Sequence, residues 1–282
     1  MKKKRVVKKE KAKKSSVAAA TVRVAGGMSA YRALPKAKGR RPAMILLHER
    51  YGIVQHTKDL IVKFAKAGYV AMAPDLFWRF TGDRKALERG ETRADMRDSE
   101  ALDDIGATID YLKKLDLVDP GKIAVMGVCQ TGRQAVLPAA HRDDVAACVV
   151  FYGAAGGKEW TTDEFRPVLI ETMLEKLSCP LLGVFGEADH IISVDDVLRF
   201  RAALERHKKS YHIKIYPDAP HGWLNDTMPG RYRKEQSDAA WRLLLDFLKK
   251  TMNGGRQSDR ISWVFESAIS PNYDFKKNVR ME

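Results

Sequence analysis

Residues 122–132 read Lys-Ile-Ala-Val-Met-Gly-Val-Cys-Gln-Thr-Gly, and this stretch decides the fold. The first seven residues read as a strand, apolar after Lys122, and the helical pattern of residues 130–140 begins with no linker between. A buried strand that turns sharply into a helix is the junction expected in a parallel sheet, where each strand needs a crossover to reach the next. Gly127 and Gly132 suit such a junction, because the turn is tight and neighbouring chains must pass close to it. Cys129 stands at the apex.

Reading outward, the same alternation recurs in both directions. Upstream, residues 43–48 form an apolar strand, and residues 57–67 a helix with Leu60, Ile61, Phe64 and Ala65 on one side. Gly68 stops that helix, residues 69–73 give another strand, and residues 95–114 a helix with Leu102, Ile105, Ile109 and Leu112 on its buried stripe. Between them, residues 77–93 are polar and rich in arginine. Downstream come strands at 146–152, 180–186 and 211–216, with helices at 194–207 and 235–250. Before all of these, residues 19–24 and 28–34 alternate around Gly26-Gly27, the pattern of an edge hairpin. The prediction is an α/β fold with a mostly parallel central sheet and helices on both faces. Function in such sheets gathers beyond the carboxyl ends of the strands.

Three of those ends carry chemistry. Cys129 sits in the strand–turn–helix context of a nucleophile elbow, with Thr131 where a glycine is expected and Gly132 one place later. The strand at 180–186 leads to Gly186-Glu187-Ala188-Asp189, and the strand at 211–216 to Asp218-Ala219-Pro220-His221-Gly222-Trp223. The order nucleophile, acid, histidine, with spacings of 60 and then 32 residues, places each group after a different strand. In this arrangement His221 would activate the thiol and Asp189 would fix the imidazole tautomer. Each residue also has a plainer reading: a small buried cysteine, a helix-capping aspartate, a loop histidine. A fourth strand end gives His48-Glu49-Arg50-Tyr51-Gly52, where the backbone N–H groups of Arg50 and Gln130 are placed to converge on an oxyanion. His48-Glu49 is not a zinc motif, since Gly52 stands four places after His48 and the segment is a strand end.

Together with Ala73-Pro74-Asp75-Leu76-Phe77, these motifs resemble the dienelactone hydrolase (carboxymethylenebutenolidase) family of the α/β-hydrolase fold, over about residues 19–250. The resemblance implies a Cys129–His221–Asp189 triad, with Glu49 as the glutamate that contacts the resting thiol. It also implies a hydrolase of small ester or lactone substrates working through an acyl-thioester, with no metal and no organic cofactor. A broad carboxylesterase and a non-catalytic binding protein on the same scaffold are the alternatives. The family's arginine four residues after the histidine is Asn225 here. Tyr51, Trp223, Arg93 and Asn225 are taken as candidate substrate contacts.

Composition bounds the remainder. The formal charge is +14, of which residues 1–14 supply +8 through eight lysines and one arginine against one glutamate. Residues 1–18 are therefore expected to form a disordered Lys-rich tail, touching nucleic acid weakly at most, ahead of a single hydrolase domain at 19–250. Three cysteines cannot pair completely, and no secretory or bilayer-length apolar segment is visible, so a cytoplasmic location is expected. Residues 154–178 lengthen one crossover and are a candidate lid or wall. Residues 251–282 form a C-terminal extension whose run at 261–265 is expected to add an edge strand or to dock on a partner subunit, as in a homodimer.

Overall fold

The computed structural model describes residues 17–253 and 260–282; most of the Lys-rich tail lies outside the described residues. Among the described residues nine strands form one sheet in the order β1-β2-β4-β3-β5-β6-β7-β8-β9. They are β1 (Val17–Arg23), β2 (Ser29–Pro35), β3 (Arg41–Leu47), β4 (Val70–Pro74), β5 (Val118–Val128), β6 (Ala147–Phe151), β7 (Leu181–Gly186), β8 (Tyr211–Tyr216) and β9 (Trp263–Ser267). The hairpin β1–β2 joins β4 antiparallel at one edge, and every pairing from β4 through β9 is parallel. The strand at residues 17–23 starts two residues before the expected boundary at 19, because the ladder with β2 begins at Val17 opposite Pro35.

The alternating pattern explains how one sheet feeds two cores. Along β3, Ala43, Ile45 and Leu47 face one side, while Met44 and Leu46 face the other. The first side is covered by α3 (Asp98–Lys113), α4 (Gly132–His141), α5 (Ile170–Glu175) and α6 (Val194–Arg206), through residues such as Ile105, Ala135, Ile170 and Phe200. The second is covered by α1 (Gln55–Lys66) and α7 (Lys234–Asn253), through Leu60, Phe64, Leu244 and Leu248. Each large side chain so enclosed contributes about 1.5–3 kcal/mol by leaving water.

Three local differences from the sequence reading have physical causes. Residues 77–93 hold a short helix, α2 (Arg84–Glu88), because the Asp83 side chain accepts the backbone N–H groups of Lys85 and Ala86. The crossover at 154–178 contains a single 3₁₀ turn, Gly157–Trp160, followed by α5. Arg133, only 1% exposed, ties that crossover to the body by pairing with Asp98 and Glu159 and donating to the Val168 carbonyl. Finally, α7 runs to Asn253, three residues past the expected end at 250, since Met252 is still buried against the sheet. Among the described residues no helix is long and apolar enough to cross a membrane.

Candidate active site

The turn after β5 is built by contacts that exclude side chains. Cys129 has φ 55°, a left-handed conformation that costs a non-glycine residue free energy and persists only where the surroundings enforce it. A Cβ on Gly127 would lie 2.1 Å from the Thr131 carbonyl oxygen, and one on Gly132 would lie 2.6 Å from the Gly153 Cα. The close approach to the neighbouring strand end thus falls at Gly132. Thr131 fits where a glycine was expected because it is fully buried with its hydroxyl satisfied. That oxygen accepts the Val128 N–H at 3.1 Å and lies 3.0 and 3.2 Å from the carbonyls of Val128 and Leu47.

Asp189 and His221 arrive from the ends of β7 and β8. A Cβ on Gly186 would lie 2.0 Å from the Ala219 carbonyl oxygen, so only glycine lets the two loops meet. They join through Glu187 N–H to Tyr216 and Ala188 N–H to Ala219. Asp189, 1% exposed, accepts the N–H groups of Ile191 and Ile192 on Oδ1 at 2.7 and 3.1 Å. Its Oδ2 lies 2.8 Å from His221 Nδ1, and His221 Nε2 lies 3.0 Å from Cys129 Sγ. His221 is 6% exposed. That burial alone would push its pKa down; the charge of a Cys129 thiolate and the Asp189 carboxylate outweigh it and hold the pKa well above the ordinary value.

Glu49 follows β3 and is also buried. Tyr152 donates its hydroxyl to one oxygen at 3.2 Å, and Asn225 donates its amide to the other at 2.8 Å. Asn225 is therefore a buried partner of Glu49 and is not among the residues lining the cavity over Cys129, which corrects its placement as a substrate contact. Trp223 needs the same correction. It is completely buried among Phe151, Tyr152 and Tyr216, so its indole fills the core beneath the site. His48 is structural: its Nδ1 meets the Glu49 carbonyl and its Nε2 accepts the Leu76 N–H, which requires a neutral ring, and burial lowers its pKa accordingly. Among the described residues no group of histidines, cysteines and carboxylates is spaced to hold a metal.

A cavity of about 410 Å³ opens over Cys129 and His221. Tyr51 and Arg93 line it, as do Arg50 and Gln130. The side chains of the last two are tied back to the 90–94 loop, Arg50 to the Gly90 carbonyl and Gln130 to that of Ala94. Tyr152 and His190 are among the lining residues that escaped the sequence reading. Tyr152, at φ 38°, packs edge-on against the His221 ring at 5.4 Å, and its position just beyond β6 was the available signal. His190 follows Asp189 directly, with its ring 5.9 Å from that of His221 and a buried Nδ1 that has no hydrogen-bond partner. Burial lowers its pKa, with Asp189 opposing and His221, Arg231 and Arg280 assisting.

A cysteine, a histidine and an aspartate at the ends of β5, β8 and β7, under a cavity on a mostly parallel sheet, define a protein of the α/β-hydrolase class. Within that class the chain belongs to the dienelactone hydrolase family, which it matches over residues 28–252. It is 31% identical over 230 residues to a protein of Methylorubrum extorquens assigned as a carboxymethylenebutenolidase, covering 80% of this chain and 77% of that one. It is 28% identical over 229 residues to a Bradyrhizobium protein assigned as a 2-oxo-3-(5-oxofuran-2-ylidene)propanoate lactonase, covering 80% and 91%. A crystal structure assigned as a dienelactone hydrolase from Klebsiella pneumoniae superposes with a TM-score of 0.74 at 28% identity, covering 83% of this chain and 99% of that one. The protein is thus a hydrolase acting on esters or lactones.

Proposed function

We propose that Cys129 is the nucleophile of a two-step hydrolysis of activated esters or lactones, with His221 as proton carrier and Asp189 as its orienting carboxylate. The observation that carries this reading is the single imidazole spanning Asp189 Oδ2 at 2.8 Å and Cys129 Sγ at 3.0 Å, beneath the cavity. With Nδ1–H directed at Asp189, Nε2 is left to take the thiol proton. The thiolate attacks the substrate carbonyl, and the N–H groups of Arg50 and Gln130 receive the resulting oxyanion. Collapse expels the leaving alkoxide, enolate or phenolate, which His221 protonates, and leaves an acyl-thioester on Cys129. Water, deprotonated by His221, then attacks the thioester and returns the thiol.

The nucleophile limits the substrate. A thiolate leaves as readily as it attacks, so the first tetrahedral intermediate reverts unless the other leaving group is good. Enol lactones, enol esters and aryl esters meet that condition, whereas simple amides and alkyl esters do not. In this reading the thiol turned toward His221 is the activated arrangement, and Glu49 holds its own place through Tyr152 and Asn225.

The test is hydrolysis of an aryl acetate and of a dienelactone, with and without iodoacetamide, by the wild-type protein and Cys129→Ala. Loss of turnover on alkylation and in the variant, with the circular dichroism spectrum unchanged, is the expected result. Turnover that survives in Cys129→Ala would sink the assignment. Thiol-sensitive hydrolysis of the aryl ester alone would keep the mechanism and move the substrate away from lactones.

A further inference from the structure

The segment after β9 lies beyond the 28–252 span matched to the family, yet it returns to the loops that carry Asp189 and His221. Ser270 donates its N–H and its hydroxyl to Glu187, at 2.5 and 2.9 Å. Glu187 is 6% exposed and accepts a further N–H, that of Asp218, at 3.3 Å. A buried carboxylate left short of donors is costly, so the course of the chain at Glu187 depends on Ser270. The Tyr273 hydroxyl accepts the Val194 N–H at 3.0 Å, which satisfies the first N–H of α6. A 3₁₀ turn at Phe275–Lys277, capped by the Asp274 side chain, then brings Asn278 back to the sheet rim. Its amide donates to the backbone carbonyls of Glu187 and Asp189, at 2.9 and 3.0 Å. Arg280 comes to the cavity wall two residues later, and the Met281 carbonyl accepts Nε of Arg231 at 2.6 Å. A Cβ on Gly230 would overlap the Glu282 carbonyl, so the glycine leaves the space in which residues 281–282 are seated.

The strap so formed grips two loops at once. Residues 187–193 join β7 to α6 and carry Asp189; residues 217–233 join β8 to α7 and carry His221. The 2.8 Å hydrogen bond between the two side chains therefore needs both loops held in one relative position. The direction of the Asp189 carboxylate is set by its own backbone turn, through the N–H groups of Ile191 and Ile192 on Oδ1. Asn278 holds that backbone from the other side, through the Asp189 carbonyl. The groups that face His221 are Asp189, Cys129, Tyr152 and His190, and of these the strap bonds directly to Asp189. Asn278 is not among the residues lining the cavity, so it acts through Asp189 and not on the substrate.

We propose that segment 268–282 is a clamp that positions Asp189 against His221, with Asn278 as its positioning residue. The inference rests on the reading of Asp189, His221 and Cys129 as one proton-transfer chain. It gives the reaction a residue from outside the family-matched region, one that touches neither the substrate nor the reacting atoms.

The experiment compares the full-length wild type with Asn278→Ala, which removes both hydrogen bonds and adds no charge near His221. Two quantities are read: kcat/KM for an aryl acetate, and the pH midpoint of Cys129 alkylation by iodoacetamide, followed on the Cys129 peptide by mass spectrometry. Asp189 helps to hold the His221 imidazolium that stabilises a Cys129 thiolate, so a displaced Asp189 moves the alkylation midpoint to higher pH. The value of kcat/KM should fall about tenfold, short of the roughly hundredfold that a full 1 Å misplacement costs. Gly230→Ala, which unseats residues 281–282 from the other loop, should shift both quantities the same way. The double variant should lose less than the product of the single losses, because both changes release one clamp. A lower melting temperature with the wild-type midpoint, and kcat/KM within about twofold, would reduce the strap to a stabilising element and overturn the proposal. Strictly multiplicative losses would overturn it too. Should Cys129→Ala retain hydrolysis, the mechanism of the preceding section falls, while the alkylation midpoint in Asn278→Ala still decides whether the strap positions Asp189.

Discussion

Gly132→Ala isolates the contact on which the turn at Cys129 depends. The added Cβ would lie 2.6 Å from Gly153 Cα and 2.8 Å from Ala154 N, where ordinary contact begins at 3.4 Å. Both obstacles are backbone, so no side chain can swing aside. Relief requires the start of α4 and the end of β6 to separate by roughly 1 Å, and misplacement of that size at a reacting centre costs on the order of 100-fold in rate. Overpacking costs about 1–3 kcal/mol, offset by up to about 1 kcal/mol from alanine's helix propensity. The variant should therefore lose no more than about 3 kcal/mol of stability while kcat/KM falls by about two orders of magnitude. Urea denaturation and aryl-ester hydrolysis measure the two quantities on one preparation. Activity within twofold of wild type would refute the reasoning, since the turn would then not need the close approach.

Two further outcomes are expected. Asn225→Ala strips Glu49 of one of its two donors and should destabilise the protein by about 1–3 kcal/mol in urea, the penalty of an under-satisfied buried acceptor; a change below 0.5 kcal/mol, well outside that range, would show that water replaces the amide. Arg133→Ala leaves Asp98 and Glu159 buried without their shared cation, and should cost about 3–5 kcal/mol of unfolding free energy. Since that arginine also anchors the 154–178 crossover, limited proteolysis should cut the crossover sooner, and an unchanged cleavage pattern would contradict the anchoring role.

The layout of the fold was legible because its signals are local and repeated. Short apolar strands alternating with amphipathic helices leave few topologies, and the edge hairpin announced itself through Gly26-Gly27. The meeting of Cys129, Asp189 and His221 was legible because a parallel sheet delivers strand ends to one rim, so the ends could be searched in turn. What stayed hidden depends on which way side chains turn. Nothing in the sequence says that Asn225 bends inward to Glu49 while Trp223, two places earlier, sinks into the core. Thr131 looked like a defect until its hydroxyl was seen to satisfy Val128, and the approach to Gly153 was seen to fall one residue later. Arg280 was invisible for a different reason: it reaches the cavity through a chain reversal after β9 that no local pattern encodes.

The parallel topology has a consequence for how the protein matures. Cys129 and His221 are 92 positions apart, and the strands that present them are separated by β6 and β7 in the sheet. Parallel neighbours cannot form by zipping a hairpin; each must wait for a long loop to close, and that entropy is lost before any pairing rewards it. Helices regain their shape in microseconds, but the 3.0 Å sulfur–imidazole contact exists only once four strands stand in register. On the proposed mechanism, hydrolysis returns on refolding after the far-ultraviolet signal has recovered, and enzymatic activity serves as a clock for the last docking events of the sheet.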